Sequence, residues 1–168
     1  MDPFQRRSME ERTPEFVSDR SQKNIFSDPV VGHWQPHLIR VVPGQSEHGT
    51  ESQCILVTKH KQIINKVQKS VLDNLKNIPR KKIAFKSLKR HGLIVLCKND
   101  NQIIEVVNEV APEHLELNVS NYKKYISRIV NAGSICIGKY TPMAVTDYNS
   151  GSQHTLPTLG SSKFSSGL

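Results

Sequence analysis

The spacing of apolar residues changes several times along this chain, and the changes mark out its elements. Gln53 to Thr58 is a short apolar run of the kind that forms a strand buried on both faces. From Lys59 to Ile78 the apolar positions Ile63, Ile64, Val67, Val71, Leu72 and Leu75 fall on one stripe of a helix. Pro79 ends or restarts that helix. Ile83, Ala84 and Leu88 continue a shorter amphipathic piece, which His91-Gly92 can close because glycine accepts helix-terminating backbone angles. Leu93 to Cys97 is a second apolar run, followed after Asn99-Asp100 by a helical stripe of Ile103, Ile104, Val107 and Val110. Leu115 to Val119 predicts a third strand. Ser120 is placed to cap a helix carrying Tyr122, Tyr125, Ile126, Ile129 and Val130, and Ser134 to Gly138 predicts a fourth strand. Strand and helix alternate, which predicts an α/β fold: a mostly parallel sheet flanked by helices on both faces.

The two ends do not share this rhythm. Residues 1–40 are charged at first and then punctuated by Pro14, Pro29 and Pro36, with no sustained period, so they are expected to form an irregular arm. Within the arm, His33 and His37 flank Trp34, but two histidines make an incomplete metal site, and packing of the one Trp is the plainer reading. Residues 41–168 are expected to form the α/β domain, ending in a Gly, Ser, Thr and Pro rich loop from Thr141 to Leu168.

Composition narrows the class. The chain has 168 residues and a formal charge of +8, enough length for one core and a composition suited to a water-soluble domain with a basic face. Between Lys59 and Lys98 twelve Lys or Arg stand against one acid, Asp73. Such a block could bind nucleic acid. Only Phe85 interleaves it, so lysines coating the outer faces of helices is the better reading. Cys54, Cys97 and Cys136 each sit in an apolar run without Cys-x-x-Cys spacing, as buried reduced thiols do. With no secretory or membrane-spanning run, a cytoplasmic location and no membrane partner are expected.

Three polar clusters could carry chemistry: Gln45 to Gly49, Glu113-His114 and Asp147 to His154. In open parallel sheets ligands bind at the carboxyl ends of strands, which is where such clusters are expected to gather. Gln45 and His48 are three apart, so on a helical turn both would face one ion, and with Asp147 they would make a nitrogen and oxygen donor set suited to zinc or a similar divalent metal, leaving a tetrahedral shell unfilled. Glu113 and His114 put a carboxylate beside an imidazole immediately after Pro112 stops a helix, a pair able to move protons.

Four motifs, Gln45-x-Glu47-His48-Gly49, Ala111-Pro112-Glu113-His114-Leu115, Asn131-Ala132-Gly133-Ser134 and Asp147-Tyr148-x-Ser150-Gly151-x-x-His154-x-Leu156-Pro157-Thr158, resemble those of histidinol dehydrogenase, in the same order. The resemblance implies part of a Rossmann-like domain from a zinc enzyme that oxidises L-histidinol to L-histidine with two NAD, at the end of histidine biosynthesis. It implies Gln45, His48 and Asp147 as zinc ligands, Glu113 and His114 as catalytic acid and base, and His154 and Asp147 as substrate contacts. The family is also expected to form homodimers. Thr146, Asn149 and Gln153 depart from the family's usual residues. The family's nucleotide-contacting region lies upstream of Gln45, and its C-terminal tail supplies a further histidine ligand and a glutamate. Neither has a counterpart in this sequence, so an incomplete fragment with little activity alone is expected. The rival classes are a basic nucleic-acid-binding module and a non-catalytic partner subunit.

Overall fold

The computed structural model describes residues 46, 49–138, 140 and 141, together with the backbone of residues 5–8 and 23–27. Six parallel strands form one sheet: β1 (Gln5–Ser8), β2 (Lys23–Ser27), β3 (Gln53–Thr58), β4 (Leu93–Leu96), β5 (His114–Leu117) and β6 (Ser134–Ile137), in the spatial order β1-β4-β3-β2-β5-β6. Among the described residues, four helices connect β3 through to β6: α1 (Lys61–Leu75), α2 (Lys81–His91), α3 (Asp100–Val110) and α4 (Tyr122–Ile126). The predicted alternation is present.

Alternate residues of each strand feed two separate cores, because successive side chains point to opposite faces. Cys54, Leu56 and Ile94 pack under α1 and α2 with Ile64, Val71, Leu75, Ala84 and Leu88. Ile55, Val57, Leu93, Val95, Leu115 and Leu117 pack on the other face against Ile103, Val107 and Val110 of α3 and Tyr125 of α4. With both faces covered, all six residues of β3 are buried. The ten Lys and Arg between Lys61 and Arg90 are all exposed, as expected of residues coating the outer faces of α1 and α2. Cys54, Cys97 and Cys136 are buried and form no disulfide, and burial pushes the Cys54 thiol up to about 12.

The expectation of an irregular arm in residues 1–40 needs correction, because β1 and β2 lie within it. β2 runs between β3 and β5, pairing Ile25 with both Ile55 and Leu115. The stretch Lys23-Asn24-Ile25-Phe26-Ser27 is too short to show a period, and its place is set by the hydrogen-bonding edges that β3 and β5 offer on either side. His33, Trp34 and His37, like the loop beyond Thr141, lie outside the described residues.

The last helix also differs from its pattern. α4 ends at Ile126 rather than reaching Val130, and its N-cap is Asn121 rather than Ser120, with no side-chain capping bond. The Asn108 side chain explains the early end: its Nδ2 donates to Arg128 O (2.9 Å) and its Oδ1 accepts from Val130 N–H (2.8 Å), diverting backbone groups that a longer helix would use. Ile129 still reaches the core, while Val130 is exposed.

Gly92, between α2 and β4, shows why a glycine stands there. Its N–H donates to Leu88 O (2.8 Å), and an added Cβ would sit 2.4 Å from that same oxygen. Gly92→Ala should therefore cost about 1–3 kcal/mol in urea denaturation, through overpacking against backbone. A loss below about 0.5 kcal/mol would show that the turn relaxes freely.

Candidate active site

The Glu113-His114 pair is placed by the exit of α3. Ala111 ends that helix in the left-handed region (φ 49°, ψ 64°), with its N–H donating to Val107 O (3.0 Å). Pro112 stops the helix by disfavouring the right-handed helical region for the residue before it, and the left-handed angles belong to the helix cap that the Ala111 N–H closes onto Val107 O. An alanine at positive φ carries about 1–2 kcal/mol of strain, which buys an abrupt turn into β5. The loop before β6 then fastens the turn: Gly133 N–H donates to Pro112 O (2.9 Å) and Ser134 N–H to Glu113 O (2.8 Å). The Asn131-Ala132-Gly133-Ser134 motif thus clamps the backbone beneath the pair.

His114 Nε2 lies 2.8 Å from Glu113 Oε1, and both side chains are more than nine-tenths buried. A carboxylate accepting the Nε2 proton holds a neutral imidazole in the tautomer whose lone pair is on Nδ1, and it stabilises the imidazolium that forms when Nδ1 takes up a proton. In a site screened from water this is a competent acid/base pair. Its place on the sheet was not expected. Glu113 and His114 stand at the start of a parallel strand, on the amino edge, opposite the carboxyl ends where ligands of open sheets usually bind.

The segment that leads into β3 reaches the same edge. Asn24 pairs with both Cys54 and His114, so the beginnings of β3 and β5 are level, separated only by β2. Four contacts hold this approach: Ser87 Oγ donates to Ser52 O (2.7 Å), Ser52 N–H donates to Gly49 O (3.2 Å), and Glu51 pairs with Arg90 (2.9 Å) and His91 (3.3 Å) at the end of α2. Gln45 and His48 immediately precede Gly49 in sequence, but they lie outside the described residues, as do Asp147 and His154. Among the described residues, no group of three or more His, Cys, Asp or Glu is arranged to hold a metal.

One polar residue on this edge was read from the sequence only as the opening of a strand. Gln53 is 7% exposed, and its Oε1 has no hydrogen-bond partner among the described residues. The available signal was a lone amide at the head of an apolar run, which by itself also fits a strand end.

Comparison with known proteins decides the family. The histidinol dehydrogenase family profile matches residues 41–168. The chain belongs to the histidinol dehydrogenase family. Over 125 residues it is 54% identical to histidinol dehydrogenase of Pelagibacter ubique, covering 74% of this chain and 29% of that one. Against the enzyme of Prochlorococcus marinus (strain MIT 9312) it is 42% identical over 132 residues, 79% of this chain and 30% of the relative. The crystal structure of histidinol dehydrogenase from Elizabethkingia anophelis superposes with a TM-score of 0.78 at 30% identity, covering 90% of this chain and 34% of that chain. The chain therefore spans about a third of the length of the histidinol dehydrogenases it matches. Residues 41–168 make up about three quarters of it, so the structural match takes in part of the stretch before residue 41.

Proposed function

We propose that this chain carries the acid/base portion of a histidinol dehydrogenase site, built to act on L-histidinol with zinc and NAD. The observation that carries the reading is the buried 2.8 Å contact between His114 and Glu113 at the edge where β3 and β5 begin level with one another. Oxidation of an alcohol to a carboxylate has two stages with different proton needs. The first removes the alcohol proton as hydride leaves, and the second activates water to attack the aldehyde. An imidazole with a carboxylate on its far nitrogen serves both stages: His114 takes up a proton, and Glu113 stabilises the charge and is itself close enough to act as a base.

Gln45, His48 and Asp147 would hold the zinc, and their nitrogen and oxygen donors suit that ion. Bound there, zinc would supply a fixed positive centre to orient the substrate's amine and imidazole. NAD, the hydride acceptor, would be held mainly by residues that relatives carry outside the matched third. The same reasoning makes this chain a partial site, in a family read as homodimeric. Three buried cysteines that form no disulfide support a reducing compartment such as the cytoplasm. No helix among the described residues is long and apolar enough to cross a membrane.

The test uses the purified 168-residue chain. Calorimetry should show weak zinc binding that is lost in the His48→Ala, Asp147→Ala double variant, and L-histidinol binding that depends on added zinc. NAD reduction should stay at background. Zinc binding unchanged in the double variant would reject the metal site, and zinc-dependent turnover by this chain alone would reject the partial-site reading.

A further inference from the structure

Buried acceptors without donors are rare in folded chains, because an unpaired oxygen keeps its desolvation cost with nothing to offset it. Gln53 is such a case, nine-tenths buried with Oε1 lacking a partner among the described residues. Its position gives the oxygen a use. On β3 the odd positions Ile55 and Val57, and on β5 the odd positions Leu115 and Leu117, enter the core under α3. By the two-residue repeat of strands, Gln53 belongs to that same face, and Glu113 lies immediately before β5. Lys23 of β2 pairs with Gln53 and Asn24 pairs with His114, so Gln53 stands in the register row of Glu113, two strand spacings or roughly 9–10 Å across the amino edge. Lys23 of β2 stands between them in that row.

Asn131 repeats the feature on the other side of Glu113, in the loop before β6. Its Nδ2 donates to Asn108 O (2.8 Å), while its Oδ1 is buried with no partner among the described residues. Two amide oxygens that the fold does not satisfy thus flank the acid/base pair at one edge. A third such amide oxygen, Asn118 Oδ1, lies just beyond the carboxyl end of β5, so it is their place beside Glu113 and His114 that singles out Gln53 and Asn131.

We propose that Gln53 is a substrate-contacting residue of this edge, its amide oxygen accepting a hydrogen bond from an N–H group of the bound ligand. The proposal rests on the histidinol reading and deepens it. L-Histidinol presents N–H donors on its amine and its imidazole, and an acceptor is what such groups require. A neutral amide oxygen provides one without adding a second negative charge to the row that holds Glu113.

The experiment compares wild type, Gln53→Met and Gln53→Glu by thermal unfolding without ligand and by L-histidinol calorimetry with zinc present. Methionine keeps the length of the side chain but offers only a weakly accepting sulfur, so Gln53→Met should unfold at an equal or higher temperature while binding L-histidinol about tenfold more weakly. Gln53→Glu, which retains an acceptor, should bind at least as tightly as wild type. A Gln53→Met chain that binds as tightly as wild type overturns the contact and leaves the histidinol reading standing. One that melts several degrees lower with unchanged affinity shows a purely structural residue and also overturns it. A wild-type chain that binds no L-histidinol overturns both.

Discussion

Leu115→Ala is expected to lower the unfolding free energy by about 3 kcal/mol, within the range of about 2–5 kcal/mol for truncating a buried leucine. Leu115 is fully buried. It enters the core under α3 from the strand that begins with His114, and β5 is held between β2 and β6. Removing its isobutyl group leaves a cavity among Ile55, Val107 and Leu117, which a parallel sheet covered on both faces cannot easily collapse to fill. Against a typical total of about 5–15 kcal/mol, the loss should be plain in a urea titration at neutral pH. Leu115→Ile, which conserves volume, should cost less than about 1.5 kcal/mol. If both variants lose the same small amount, β5 is not packed as tightly as the buried Glu113-His114 contact requires.

Asp100 should carry the second largest single contribution, and it should be dependent on pH. Lys124 Nζ approaches its Oδ2 at 2.7 Å, and Lys59 Nζ pairs with Oδ1. Hydrogen bonds from Lys124, then Lys59, then Tyr125 hold the Asp100 carboxyl well below the usual carboxylate range. The contacts join the start of α3 to α4 and to the residue that follows β3. Because the folded-state pKa is depressed, the stabilisation is fully present above the unfolded value of about 3.9 and is lost as pH falls below it toward the folded pKa. Both lysines are partly exposed, so the contribution is discounted for solvent screening to about 1–2 kcal/mol. Asp100→Asn should show that deficit at pH 7, shrinking steadily between about pH 5 and pH 2 and reduced in high salt. A deficit that does not change with pH would mean that the lysines contribute through packing alone.

Much of the architecture was legible before any coordinates, for definite physical reasons. The strands β3 to β6 and the helices α1 to α3 showed because burial on a periodic backbone forces apolar residues into runs or stripes. The helix stop at Ala111 showed because Pro112 lacks an N–H and restricts its neighbour. The interleaving of β2 did not show, since a five-residue strand held by backbone pairing needs no distinctive side-chain pattern. The early end of α4 did not show either, because Asn108, distant in sequence, takes up the backbone groups that would have continued it.

The site divides in the same way. The sequence by itself determined the chemical inventory: an adjacent carboxylate and imidazole behind a proline, and the motifs that mark the histidinol dehydrogenase family. Residue type and local order suffice for that, because reactivity and helix breaking are properties of one or two residues. Only the tertiary structure decided that the pair stands on the amino edge of the sheet, that the starts of β3 and β5 are level across β2, and that the Gln53 oxygen is buried among groups that do not satisfy it. These depend on strand order and register, which arise from long-range backbone pairing and close packing and leave little mark on the local sequence.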